Sequence, residues 1–284
     1  MRTLFLAAAL MTSSVRAADQ VRPVSDAVRK DFKMAPFYQK MILIEGFPVV
    51  ASEKVTHAAV IESAVIVRNM LDGRNDIFKA MAKARIRLAV MATSERTCDI
   101  PEHSDLTPKA FWNRRARGLG ASHERPAVSG AEENVLCCKG DPYSTESILV
   151  HEFAHAIHLI GLEKTDPTFD RRLKEAYDAA MASGKWKTLY AAENHAEYWA
   201  EAVQSWFGTN RQNDALHNHV NTRQELVEYD PDVAKLCAEV FGKNAWQYRR
   251  ADDPARKDEP HLRNLDRDKL PVFAWSKEEQ EAQK

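Results

Sequence analysis

His151-Glu152-Phe153-Ala154-His155 lies inside an apolar run from Ile148 to Ile160 that Gly161 closes. Two histidines four apart on a helix sit about 40° apart around its axis and one turn apart along it. Both imidazoles can then reach one ion at the ~2.0–2.1 Å that zinc prefers. Glu152 follows the first histidine directly, so it can bond a water on that ion without being a ligand, as a general base in hydrolysis must. With 10 histidines in 284 residues, random placement yields about 0.03 such motifs, so chance is a poor explanation. Leu149, Phe153, Ala156, Ile157 and Ile160 form an apolar face, which predicts a buried helix whose histidines need partners. His158 lies one turn further on, beyond an ion centred between the first two, and is expected as a core or supporting histidine.

A catalytic zinc needs a third protein ligand and an open position. The best source is Glu193-Asn194-His195-Ala196-Glu197-Tyr198-Trp199-Ala200-Glu201. On a helix, Asn194, Glu197 and Glu201 share one stripe, while Trp199, Ala202, Val203 and Trp206 face a core. Two acids on an aromatic-lined helix call for a cation, and spacing alone leaves Glu197 and Glu201 both open as the ligand.

Tyr190, seven residues before Glu197, followed by Asn194-x-x-Glu197-x-x-x-Glu201, resembles the catalytic domain of anthrax lethal factor and the related Pro-Pro endopeptidases. The resemblance is specific over residues 144–207. It implies an α+β zincin-like metallopeptidase domain, a small twisted sheet packed on helices with HExxH on the active-site helix. It further implies Zn2+ held by His151, His155 and Glu197, with Glu152 as general base and Tyr190 as oxyanion donor. Glu201 and Asn194 are left as supporting residues, Glu201 being placed to accept the free ring N–H of a ligating histidine. The alternative HExxHxxGxxH arrangement fails here, because position 158 is His and position 161 is Gly.

Around this centre, Lys40–Val50 reads as a hairpin, residues 54–72 and 75–84 as helices, and residues 85–92 as a strand. Residues 93–131 are loop-like, and Asn134–Lys139 is expected as a short edge strand able to align an extended peptide. A helix should open at Asp141-Pro142 and run to about 160, with others near 168–184 and 194–207 and helical patterning to about 247. The charged segment 250–284 is expected over the surface, partly mobile. The whole of 18–284 is read as one domain.

Arg2, the apolar Leu4–Met11 and the Val15-Arg16-Ala17 step form a secretory signal peptide, Met1–Ala17. The protein is therefore expected to be secreted or periplasmic. In an oxidising compartment Cys98 is expected to bond Cys137 or Cys138. The formal charge of −1 argues against nucleic acid as a partner, and the basic run Arg114-Arg115-Ala116-Arg117 is taken as a loop or a wall of the cleft. After the N-terminus no apolar stretch reaches the ~18 residues of a membrane span. The partner is then a peptide or protein substrate. Two rivals are a zinc amidase acting on a cell-wall peptide or small amide, and a binding module that keeps the fold without catalysis. Glu152 and Tyr190 count against the second.

Overall fold

The structure is a computed structural model that describes residues 20–281, and the segment Met1–Ala17, expected as a signal peptide, lies outside the described residues. It is a mixed α+β chain built on one five-stranded sheet in the order β1 (Arg22–Pro23), β2 (Lys40–Ile44), β3 (Phe47–Ala51), β4 (Arg87–Met91) and β5 (Ala127–Ala131). β1, β2 and β3 pair antiparallel, whereas β3–β4 and β4–β5 are parallel. The β2–β3 hairpin turns at Glu45 and Gly46, both at positive φ, the two-residue geometry that matches strand twist.

Both faces of the sheet are buried. Ile42, Ile44, Phe47, Val49, Leu88, Val90 and Val128 face the larger core, while their alternates Met41, Val50, Ala89, Met91, Ala127 and Ala131 face a smaller one. The smaller core is closed by Val24, Phe32, Met34 and Tyr38 from the lead-in segment, which contains α1 (Asp26–Asp31). The β3–β4 crossover places its helices on the larger face. α2 (His57–Met70) and α3 (Asn75–Lys83) join β3 to β4. α4 (Lys109–Arg115) lies between β4 and β5, and α5 (Glu132–Val135) follows β5.

The HExxH helix is α6 (Ile148–Ala156), capped by Ser147, whose side chain accepts the Val150 N–H. Asp141 does not open it; its carboxylate accepts from Tyr143 N and Asn134 Nδ2 at 2.9 Å in a turn. Gly161 does not close it either. The chain continues as a π segment, Ile157–Leu162, and α7 (Glu163–Thr165). Gly161 is instead a point of close approach, since a Cβ there would meet Ile77 Cγ2 at 2.6 Å. α8 (Phe169–Ala182), α9 (His195–Trp206), α10 (Arg223–Tyr229) and α11 (Pro231–Phe241) complete the helical layer.

Two further expectations are corrected. Asn134–Lys139 is not a strand; β5 is Ala127–Ala131, and its sequence AVSGA is small because α6 packs against it, with a Gly130 Cβ landing 3.4 Å from Leu149 Cδ1. Propensity for large β-branched residues therefore misses it. All four cysteines are free, and the expected Cys98 pairing does not form. Cys98 sits in a 3₁₀ turn near the Leu106 and Lys109 carbonyls, whereas Cys138 lies near the Glu132 carbonyl. With no strand at 134–138, nothing carries the pair alongside Cys98. Burial pushes the Cys137 and Cys138 thiols up, to about 11 and about 12.

The charged tail is docked over the described residues. Arg256 bonds the fully buried Glu62 of α2 at 2.7 and 2.8 Å, and His261 bonds the same carboxylate at 2.7 Å. Further on, Phe273 N–H donates to Lys139 O, and the Phe273 and Trp275 rings receive the Arg117 and Arg114 guanidinium groups, each at 4.5 Å. Gly140, at φ +86°, makes this possible, because a Cβ there would lie 2.0 Å from Phe273 O. Gly140→Ala is expected to cost about 1–3 kcal/mol and release residues beyond 270. Thermal unfolding with limited proteolysis checks this; an unchanged cleavage pattern would contradict it. Mass spectrometry of the unreduced protein is expected to find four free thiols.

Candidate metal and catalytic site

α6 and α9 face each other, and their contact builds the site. Trp199 of α9 is fully buried and donates its indole N–H to Ala154 O of the HExxH motif at 3.0 Å. Asn194 caps α9, its Oδ1 accepting the Ala196 and Glu197 N–H groups at 2.9 and 3.0 Å. Such a cap contributes about 1 kcal/mol, and here it fixes the backbone of Glu197 itself.

Three sequence-predicted ligands converge. Glu197 Oε2 lies 3.0 Å from His151 Nε2 and 3.3 Å from His155 Nε2, and the two Nε2 atoms are 3.2 Å apart. Ligands at ~2.0–2.1 Å on a tetrahedral ion stand about 3.3 Å apart, so the triangle fits zinc. The donor set of two imidazoles and a carboxylate fits it as well.

The protonation of His151 follows from its other side. Gln204 donates its amide N–H groups to Glu146 Oε2 at 3.1 Å and Ser147 O at 3.3 Å. Its Oε1, 2.8 Å from His151 Nδ1, must therefore accept from Nδ1–H. The lone pair of neutral His151 is then on Nε2 and aims at a carboxylate 3.0 Å away. Two acceptors at that distance repel unless a positive charge lies between them. Burial works to strip charge from His151, yet the bond to Glu197 and the charges of Glu152 and Glu201 outweigh it and raise its pKa to about 10. Glu197 is likewise held below the usual carboxylate range, despite burial, by its bonds to His151 and His155. Proton or metal, a cation belongs at this point.

Glu152 and Tyr190 border the same space. Glu152 is partly exposed, with no protein hydrogen bond to its carboxylate among the described residues. Burial raises its pKa, with His151 and His155 opposing. Tyr190 enters from a 3₁₀ turn before α9, its ring 6.1 Å from that of His151. Burial and then the Glu197 charge push its hydroxyl up to about 12, with Arg115 acting the other way.

Glu201 differs from expectation. Its Oε1 is 3.6 Å from His151 Nδ1, too long for a bond, and its Oε2 takes Asn210 Nδ2 at 2.9 Å. Gln204 holds the histidine instead, and its place three residues after Glu201 on the same stripe was the signal for it. His158 is buried and lies outside the triangle, bonded to Asp170 Oδ1 at 2.9 Å.

Sequence reading also missed the segment that roofs the site. Leu119 pairs antiparallel with Ser129 of β5, its O accepting Ser129 N–H at 2.8 Å. Gly118 and Gly120 flank it over α6, where a Cβ would meet Ile148 Cγ2 at 2.5 Å and His155 Cβ at 2.9 Å respectively. Larger residues would push this rim off the site. The buried Arg117 anchors it, bonding Glu133 at 2.5 and 3.1 Å and the carbonyls of Glu95 and Ala92. The basic run is thus divided: Arg117 is a buried anchor, while exposed Arg115 faces Tyr190.

No protein-family model and no curated protein matches the chain. Seven chains among solved structures match it, among them the Pro-Pro endopeptidase PPEP-2 from Paenibacillus alvei. That protein is 17% identical with a TM-score of 0.37, over 67% of this chain and 94% of its own. Assignment of the site therefore rests on the geometry above. Gln204→Leu, which frees the His151 ring, is expected to weaken zinc affinity by about 10–100-fold with the fold intact. Zinc titration checks this, and wild-type affinity in that variant would remove Gln204 from the site.

Proposed function

We propose that the chain is a zinc-dependent peptidase with His151, His155 and Glu197 as ligands, Glu152 as general base and Tyr190 as oxyanion donor. One observation carries it: His151 Nε2, its ring held at Nδ1 by Gln204, meets a carboxylate oxygen and a second imidazole at the spacing of a tetrahedral zinc site. When bound, zinc supplies Lewis acidity that eases deprotonation of a water and polarises a carbonyl. Glu152 takes the proton of the attacking water and returns it to the leaving nitrogen, a task suited to its raised pKa and unpartnered carboxylate. Tyr190 keeps its proton across the neutral range and donates it in a hydrogen bond to the developing oxyanion.

The rim supports a peptide as substrate. Leu119 uses its backbone toward β5, and among the described residues the backbone groups of Gly118 and Gly120 make no hydrogen bond. These alternate groups offer an extended chain a main-chain ladder directly above Glu152 and His155. That edge replaces the one expected at 134–138. With Met1–Ala17 as its export signal, the enzyme would work outside the cytoplasm; among the described residues no helix is long and apolar enough to cross a membrane.

Glu152→Ala is expected to abolish cleavage of a mixed peptide library while retaining zinc. Loss of zinc together with activity would make Glu152 a ligand or a structural residue. Tyr190→Phe is expected to lower turnover by about 10²–10³-fold at unchanged zinc content; wild-type turnover there would remove Tyr190 from the mechanism. Glu197→Ala is expected to lose most zinc affinity.

A further inference from the structure

The π segment that follows α6 turns His158 away from the triangle and toward two other helices. His158 Nε2 lies 2.9 Å from Asp170 Oδ1, on the first turn of α8, and His195 Nε2 of α9 lies 3.0 Å from the same oxygen. One ligating atom from each of the three residues falls within 4.8 Å of the others. The two imidazole rings stand edge to face, with centroids 5.7 Å apart.

We infer that His158, Asp170 and His195 form a second divalent-metal site, separate from the His151–His155–Glu197 triangle, that takes a late first-row cation such as zinc. Two imidazoles and one carboxylate are the donors such ions select. Each histidine Nε2 stands 2.9–3.0 Å from the Asp170 oxygen, a few tenths of an ångström short of the ~3.3 Å between ligands on a tetrahedral ion. Both Nε2 atoms converge on one Asp170 oxygen, its second oxygen has no protein partner among the described residues and is left for solvent or an ion, and the buried His158 Nδ1 has no hydrogen-bond partner. No lysine or arginine bonds Asp170 there to balance its charge. His158 is sealed inside at 1% side-chain exposure, while Asp170 is 66% exposed and His195 32%. The ion would therefore have one buried anchor and an open side for water. A π segment is a rare interruption that recurs at functional sites, and here it aims His158.

Bound there, the metal ties the end of the HExxH helix to the starts of α8 and α9. His195 is adjacent to the Asn194 cap and two residues from Glu197, so the tie steadies the turn that delivers the triangle's carboxylate.

Zinc titration of three proteins tests this. Wild type is expected to bind one equivalent more than Asp170→Asn, an exposed substitution whose amide oxygen can still accept from both histidines. The His151→Ala/His155→Ala double variant, stripped of the first site, is expected to bind one zinc and to unfold at higher temperature with zinc than without. Adding Asp170→Asn to it is expected to abolish both effects. Equal zinc counts in wild type and Asp170→Asn, or a double variant indifferent to zinc, would overturn the second site whatever the first one holds.

Discussion

An imidazole nitrogen facing a carboxylate at 3.0 Å, buried between two helices, is the constraint on which the rest of this structure depends. With neither a proton nor a metal between them, the two acceptors would repel in a medium too poor in water to screen it. Glu152 and Glu201 add negative charge around His151. The chain keeps the two groups at this distance. It clamps both sides, through Gln204 on the ring, Asn194 on the Glu197 backbone and Trp199 on the Ala154 carbonyl. A proton fills that place when nothing else does, since the His151 pKa is raised to about 10, and the clamps hold the three donor atoms at ligand spacing for a metal to replace it.

The sheet gives this site its roof and its rigidity. α6 runs beneath β5 at a distance only small residues allow, and the Gly118–Gly120 segment extends the sheet edge over Glu152 and His155. Holding that edge uses the buried Arg117–Glu133 pair, whose separation would cost about 3–5 kcal/mol. The C-terminal segment adds a second brace, since Phe273 receives the Arg117 guanidinium on its ring. The Arg256–Glu62–His261 cluster fixes the preceding stretch to α2 with every charge paired. A tail that reads as loose charge in sequence is, over the described residues, part of the scaffold behind the rim.

The convergence of His151, His155 and Glu197 was the most legible part of the sequence, because helical spacing is rigid. Residues four apart must share a face, so His151 and His155 could be placed before any coordinates. Glu197 needed the Tyr190 spacing to separate it from Glu201, since both lie on one stripe. The hairpin and the α2 and α9 helices were equally plain from periodicity. What escaped was set by long-range packing. β5 is written in small residues because a helix lies against it, the two rim glycines are excused from a Cβ by α6, and Gly161 serves contact with Ile77. Local propensity carries no record of those neighbours. The cysteine pairing failed for a related reason, as it borrowed a strand that the chain folds as a helical turn.

The account turns on which nitrogen of His151 faces the cation. Side-chain ¹⁵N NMR of the protein with zinc added stepwise, with His151 assigned by its absence in His151→Asn, reads this directly. The expected result is a proton on Nδ1, held by Gln204, and an Nε2 resonance displaced by zinc in step with the onset of peptide cleavage. A His151 that keeps its proton on Nε2 while zinc binds and peptide is cleaved would contradict the account.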